Sequence, residues 1–140
     1  MNDPVAEFFA AFGEASRRLA HSRIEQSIAD DHGLDLLAFR LMLHVREEGA
    51  RVGDLARKVV AQASHTSRAL AVLERRGWIT RRPTPQDRRV AVVHPTPEGL
   101  RASLAMRARL RGELALRVEG WSETELATAT ALIRRLAAAL

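Results

Sequence analysis

The sequence predicts a mainly α-helical fold with one small β-hairpin, and three observations support this prediction. Apolar residues recur at three- and four-residue steps over most of the chain, which is the spacing of helices that bury one face. After Gly77 the pattern changes to β-prone runs separated by a polar segment with two prolines. Glycines and helix-capping residues lie at the ends of the predicted segments. A length of 140 residues suits a single domain, residues 1–140.

The first predicted helix is one long element over residues 4–31, because its apolar residues form a single stripe. Pro4 suits its first turn, and Gly33 follows its end. A second helix is expected over residues 35–48, with Gly49 as a left-handed terminator. This helix is apolar on several sides, so we expect it to be buried.

Two short helices are predicted next, over residues 53–59 and 63–76, with a tight turn between them. Such a pair is a helix-turn-helix, whose second helix reads the major groove of DNA in proteins that bind it. The apolar period of this second helix places four side chains inward: Thr66, Ala69, Leu70 and Leu73. The same period places four others outward: Ser64, His65, Ser67 and Arg68.

A β-hairpin follows, with strands over residues 78–82 and 90–94 and a polar turn over 83–89. We interpret it as a wing beside the helix-turn-helix. Thr96 and Pro97 then start a helix of about twenty residues that ends near Glu119. Ser122 and Glu125 have the spacing of a capping box, which begins the last helix.

The charge is distributed unevenly along the chain. The net charge is +5, but residues 1–50 carry five basic against nine acidic side chains, whereas residues 51–100 carry ten against four. A basic block at the helix-turn-helix and wing is typical of phosphate-backbone binding. Lys58 is the only lysine, and this preference for arginine is explained equally well by phosphate and guanine contacts or by coding composition.

Several short motifs occur in a fixed order between residues 52 and 99. They are a short "LA" helix, a helix ending in "LERRGWI", a wing with "DRR" and a "TPEG" helix start. In this order and spacing the chain resembles the MarR family of bacterial transcription regulators. The resemblance implies a winged helix-turn-helix core over residues 35–95 and dimerisation helices over 1–31 and 97–140. Residues 1–31 and 122–140 carry more apolar stripe than a small DNA-binding module can cover, so we expect a two-fold homodimer that reads a pseudo-palindromic duplex operator. The resemblance further implies repression of transcription.

The resemblance assigns DNA-binding tasks to particular residues. Arg68 is the main candidate for a base or phosphate contact, and His65 either reads a base edge or is a solvated surface residue. Arg88 or Arg89 would enter the minor groove, with Asp87 orienting Arg89. The remaining candidates are Ser64 and Ser67 on the recognition helix, and four arginines for phosphates or, for the first two, the helix dipole: Arg75, Arg76, Arg81 and Arg82.

Two residues depart from the family pattern in the turn of the helix-turn-helix. Val60 stands where glycine is usual, and Gln62 stands where a serine cap is usual. A valine adopts a left-handed backbone only at a cost. We therefore expect either a different turn geometry or a recognition helix that starts one residue away.

The family resemblance also implies an effector pocket between the dimerisation helices and the winged domain, for a small aromatic or anionic molecule. Six residues are candidates for its lining: Phe12, Phe39, Arg40, His44, Met106 and Arg109. The alternative is that most of them are core residues.

Other classes of protein have little support in the sequence. There are no cysteines, and no hydrolase, metalloprotease or nucleotide-binding motif occurs, so we expect no enzymatic activity, cofactor or metal. No apolar run suggests a membrane span and no leader is apparent, which favours the cytoplasm. Two alternatives stay open: an architectural or nucleoid-associated protein with little sequence preference, and a protein-interaction module.

Overall fold

The computed structural model describes residues 3–140, and this part of the chain contains seven α-helices and three β-strands. The chain divides into two compact units, the first ending at Leu110 and the second comprising Arg111–Leu140. In chain order the elements are α1 (Pro4–His21), α2 (Ile24–Asp31), α3 (Leu36–His44), β1 (Ala50–Arg51), α4 (Val52–Lys58), α5 (Ala63–Arg75), β2 (Ile79–Pro83), β3 (Ala91–Pro95), α6 (Pro97–Arg117) and α7 (Glu123–Ala139).

The prediction of one continuous helix over residues 4–31 is wrong. Helix α1 ends at His21, because Ser22 takes an extended conformation with ψ 142° while its N–H bonds to the carbonyl of Leu19. Helix α2 begins at Ile24 and buries Ile28 and Ala29, whereas no residue of α1 is buried. The apolar residues keep a helical spacing on both sides of the break. This spacing therefore does not reveal the short change in backbone direction between the two helices.

Helix α3 is shorter than the predicted 35–48. Asp35 is its N-cap and accepts a hydrogen bond from the amide of Ala38 at 2.7 Å. The helix ends at His44 because Val45 is extended. Gly49 does have a left-handed backbone, with φ 84°, but it closes the turn before β1 and does not terminate α3.

Three helices end in the same hydrogen-bonded arrangement, the Schellman motif, which requires a left-handed residue just past the helix. At the end of α2 this residue is Gly33, and at the end of α5 it is Gly77. At the end of α4 it is Val60, with φ 53°; its amide bonds to the carbonyl of Arg57, and the next amide bonds to that of Ala56. The expectation of a different turn or a shifted helix is therefore wrong, because Val60 takes the glycine conformation and α5 begins at Ala63.

The predicted hairpin is part of a three-stranded antiparallel sheet with strand order β1-β3-β2. Strands β2 and β3 pair from Ile79↔Pro95 to Pro83↔Ala91, each one residue later than predicted. Strand β1 has only two residues, which pair with Val93 and Val92, and is too short to leave a periodic pattern in the sequence.

The core of the first unit joins the helix-turn-helix to the sheet and to α6. Phe39, Leu55 and Val93 are fully buried, and the four residues predicted to face inward from α5 are all buried. Helix α6 buries Gly99, Ser103 and Met106 on one face. At Gly99 an added Cβ would overlap the carbonyl of Trp78, so the absence of a side chain lets α6 approach the start of β2.

The second unit consists of the end of α6 and of α7. The capping box predicted at Ser122 and Glu125 is present, with both reciprocal hydrogen bonds formed. No residue of α7 is buried, although the helix carries apolar side chains along its length.

Candidate nucleic-acid interface

Helix α5 presents one polar face to solvent. Ser64, His65, Ser67 and Arg68 are all exposed there, as the helical period predicted. The opposite face is anchored in the core, and the buried Thr66 donates a hydrogen bond to the carbonyl of Gln62 at 3.0 Å. Gln62 itself makes no side-chain cap. The exposed face is thus held by a rigid helix whose first turn lacks the usual side-chain cap.

A shallow cleft of about 280 Å³ lies between the start of α3 and the exposed face of α5. It brings His65 and Arg68 together with Asp35 and with the apolar side chains of Leu37 and Val72. The two residues predicted to read bases therefore share one surface, and a carboxylate lies close by.

The wing loop is ordered by its own polar side chains. The hydroxyl of Thr84 donates to the carbonyl of Asp87 at 2.8 Å and accepts from the amide of Asp87 at 2.9 Å. The carboxylate of Asp87 accepts from the amide of Arg89 at 2.9 Å and lies 3.5 Å from its Nε. Asp87 thus contacts both the amide and the side chain of Arg89, whose side chain is 94% exposed, and Arg88 is also exposed. Both arginines project from an ordered loop.

A larger cleft of about 490 Å³ lies between α4, α5 and the wing. Four arginines line it, together with Ser67 and a single carboxylate, Asp54: Arg51, Arg57, Arg81 and Arg89. Such a concentration of guanidinium groups suits the phosphates of a nucleic-acid backbone.

Sequence reasoning did not single out Arg51 or Arg57 as candidates. Both belong to the basic block of residues 51–100, which is the only signal that pointed to them. The direction of Arg51 depends on the unpredicted strand β1, so only the fold places it in the cleft. Arg57 also forms an ion pair with Asp54 within α4.

The four arginines predicted to position phosphates have different environments. Arg75 and Arg82 are exposed, and within residues 3–140 neither makes a side-chain hydrogen bond or ion pair. Arg81 is 27% exposed and lies 3.3 Å from the carboxylate of Glu74 and from the hydroxyl of Ser67. Arg76 binds two backbone carbonyls and stacks on Trp78.

The six candidates for an effector pocket lie apart from both clefts. Phe39 and Met106 are fully buried core residues, in agreement with the alternative interpretation. Phe12 is half exposed and stacks on Phe8, with ring centroids 6.0 Å apart. Two others are arginines in ion pairs: Arg40 with Glu25 at 2.6 Å, and Arg109 with Asp31.

His44, the sixth candidate, is partly buried at the end of α3. Its burial, and then the positive charges of Lys58 and Arg46, lower its pKa below the usual value. The imidazole is therefore neutral at pH 7.

Among residues 3–140, no three histidine or acidic side chains come together in a way that could hold a metal ion. Over the same residues, no helix is both long enough and apolar enough to cross a membrane.

A helix-turn-helix core with a three-stranded sheet, whose hairpin forms an arginine-tipped loop, defines a winged helix-turn-helix protein. Residues 38–91 match the model of the MarR family. The resemblance to the MarR family predicted from the sequence motifs is thereby confirmed, and the chain has the fold of the MarR-family transcriptional regulators.

Solved structures of the same fold match almost the whole chain. A MarR-family regulator from Silicibacter pomeroyi has a TM-score of 0.79 and 19% identity, over 99% of this chain and 97% of that one. The regulator BldR from Sulfolobus solfataricus has a TM-score of 0.78 and 20% identity, over 97% and 99%. NadR, in complex with 4-hydroxyphenylacetate, has a TM-score of 0.74 and 18% identity, over 90% of each chain. A comparison with curated proteins gives no match.

Proposed function

We propose that the protein is a homodimeric, sequence-specific transcription regulator that represses by binding a pseudo-palindromic duplex operator. One observation carries the proposal: the exposed face of α5 and the wing arginines flank a cleft lined by four guanidinium groups. Base-reading side chains and phosphate-binding charges thus occur on one surface. We further propose that it acts in the cytoplasm and has no enzymatic activity.

In this proposal α5 enters the major groove with its N-terminal half. Arg68 contacts a base or a phosphate, and His65 reads a base edge. Arg89, held by Asp87, reaches the minor groove together with Arg88. Five arginines serve the phosphates: Arg51, Arg57, Arg75, Arg81 and Arg82.

A dimer is supported by exposed apolar side chains on α1 and on α7. On α1 these include Val5, Phe8 and Phe9, the last 76% exposed. On α7 they include Leu132 and Ile133, the second 66% exposed. In a two-fold dimer formed through residues 1–31 and 97–140, the recognition helices would lie about 34 Å apart and read two half-sites.

Release of the operator by a small molecule is also part of the proposal. NadR was crystallised with 4-hydroxyphenylacetate, which supports an aromatic or anionic effector for this chain. The proposed lining comprises Phe12, Phe39, Arg40, His44, Met106 and Arg109. Arg40 and Arg109 are the cationic groups among them, and each would exchange its present carboxylate partner for the effector.

The test is selection of bound fragments from random duplex DNA by the purified protein. A sequence-specific dimer enriches one palindrome, and the variant Arg68→Ala then loses discrimination at about one base pair of each half-site, worth roughly 1–3 kcal/mol. Retained selectivity in Arg68→Ala would assign Arg68 to phosphate alone. No retention of duplex DNA at low salt would overturn the proposed function and favour a protein-interaction module.

An architectural DNA-binding protein is the second candidate, since the four-arginine cleft suits any phosphate backbone. That function predicts no enriched sequence and a steep dependence of binding on salt. The same selection therefore separates the two candidates.

A further inference from the structure

The C-terminal end of α2 leaves two carbonyl groups for a partner outside the helix. Its Schellman motif uses the carbonyls of Ala29 and Asp30, which accept from the amides of Leu34 and Gly33. The carbonyls of His32 and Gly33 lie just past the last residue of the helix. Both accept from one guanidinium nitrogen, Nη1 of Arg76, at 2.5 and 3.3 Å.

The guanidinium of Arg76 is held from its other side by an aromatic ring. Its central carbon lies 4.1 Å from the ring centroid of Trp78, and this tryptophan is only 7% exposed. Arg76 is itself the C-cap residue of α5. One residue therefore joins the end of the recognition helix to the end of α2, where the helix dipole favours a positive charge.

Helix α6 binds the same end of α2. Arg109 on α6 forms an ion pair with Asp31, the last residue of α2. The turn between α2 and α3 is thus fixed by an arginine from α5 and, one residue earlier, by an arginine from α6.

From these contacts we propose that Arg76 is a positioning residue, which sets the orientation of the recognition helix against α2 and does not touch DNA. The inference rests on the proposed function, and it revises the phosphate-binding task given to Arg76. To reach a phosphate, the guanidinium would have to leave both carbonyls and the face of Trp78. Within residues 3–140, the end of α2 would then lose the hydrogen bonds that it accepts from the end of α5.

The experiment compares Arg76→Lys and Arg76→Gln with Arg75→Lys and Arg75→Gln. For each variant, the affinity for the selected operator and for a scrambled duplex is measured over a range of salt concentrations. Arg75 is the matched control, since it is the adjacent arginine and is exposed. A lysine keeps the charge, but its ammonium is not planar and cannot stack on Trp78 while it donates to the two carbonyls, as the guanidinium does. Both Arg76 variants should therefore lose about tenfold in operator affinity, equivalent to 1.4 kcal/mol.

Two readouts separate positioning from phosphate contact. In both Arg76 variants the ratio of operator to scrambled affinity should fall while the salt slope stays at the wild-type value. A phosphate contact would instead lower the slope by about 0.9 in Arg76→Gln and leave Arg76→Lys close to wild type. That second pattern would overturn the proposal, as would wild-type binding by both Arg76 variants.

Hydrogen exchange tests the same link without DNA. In Arg76→Lys the amides of residues 32–35 and of the end of α5 should both exchange faster, whereas Arg75→Lys should leave them unchanged. Unchanged exchange at residues 32–35 in Arg76→Lys would overturn the proposal. If wild-type protein binds no duplex but this exchange pattern is found, the proposed function fails while the structural link stands.

Discussion

Val60 adopts a left-handed backbone at the end of α4, where α2 and α5 have glycine at the equivalent position. Its side chain is 92% exposed, so it contributes little burial in return for the unfavourable backbone. A β-branched residue in this region is strained, at a cost of order 1–3 kcal/mol.

We predict that Val60→Gly raises the free energy of unfolding by about 1 kcal/mol, after subtraction of the greater chain entropy of glycine. Urea denaturation of the wild-type protein and the variant measures this change in the free energy of unfolding. Val60→Ala is the control, because alanine keeps the Cβ atom. It should therefore raise the free energy of unfolding by less than Val60→Gly does. A lower stability of Val60→Gly would contradict this account of the turn.

Gly99 and Gly112 lie on the same helix, α6, but in different surroundings. An added Cβ at Gly99 would overlap the backbone of Trp78, whereas one at Gly112 would meet nothing within 4 Å. Helix propensity alone predicts that alanine stabilises both positions by about 1 kcal/mol.

We predict that Gly112→Ala does stabilise by about that amount, whereas Gly99→Ala destabilises by about 2 kcal/mol or more, because backbone cannot yield as a side chain can. Thermal unfolding of the two variants checks this. Equal shifts in the midpoint would show that α6 does not depend on close approach at Gly99.

At the scale of elements, α3 is held at its C-terminal end by a side chain from α6. Arg107 donates to the carbonyl of Leu43 at 2.7 Å and to that of Val45 at 2.9 Å. These groups have no partner within α3, since the helix ends at His44.

We predict that Arg107→Gln lowers the free energy of unfolding by about 2 kcal/mol, the typical effect of losing charged hydrogen bonds at partly buried carbonyls. Arg101→Gln removes an exposed arginine from the same helix and should change stability by less than about 0.5 kcal/mol. Chemical denaturation of both variants is the measurement. If Arg107→Gln and Arg101→Gln both changed the free energy of unfolding by a similar, small amount, Arg107 would not cap α3.

The wing is the second element whose contribution can be isolated. If Arg88 and Arg89 lie in the minor groove, replacing both with glutamine should weaken operator binding and reduce the salt slope by roughly 2. Replacing Arg134 and Arg135 on α7 with glutamine changes the net charge equally and is the control. Fluorescence anisotropy over a salt series measures both slopes. Unchanged binding by the wing variant would mean that the wing does not engage DNA.

At the scale of the whole molecule, exposed apolar side chains on α1 and α7 call for a partner surface. We predict a dimeric mass by light scattering at micromolar concentration. Phe9→Glu should shift the mass toward the monomer, because a buried carboxylate in an apolar interface is unfavourable. Val72→Glu, an apolar-to-acid change on the exposed face of α5, should leave the mass dimeric. A monomeric wild-type protein would overturn the dimer.

The candidate site illustrates which residues a sequence can point to. The exposed residues of α5 followed from the helical period, and the arginines of the wing followed from a motif and its spacing. The sequence did not single out Arg51 and Arg57 as candidates, because their position in the cleft depends on β1 and on the packing of α4. Arg76 and Arg81 looked like surface charges, since contacts with residues distant in the chain have no sequence signature.

The sequence by itself determined the type of the larger elements, the inward and outward faces of α5, and the resemblance to the MarR family. These features depend on local periodicity and on short motifs, which are encoded by residues close together in the sequence. Only the tertiary structure decided the break after His21, the third strand, the left-handed Val60 and the arginines that cap α2 and α3. The third strand and the two arginine caps join groups from distant parts of the chain, which no local pattern encodes. The break after His21 and the left-handed Val60 are short changes of backbone direction, which leave the helical period of the apolar residues on either side unaltered.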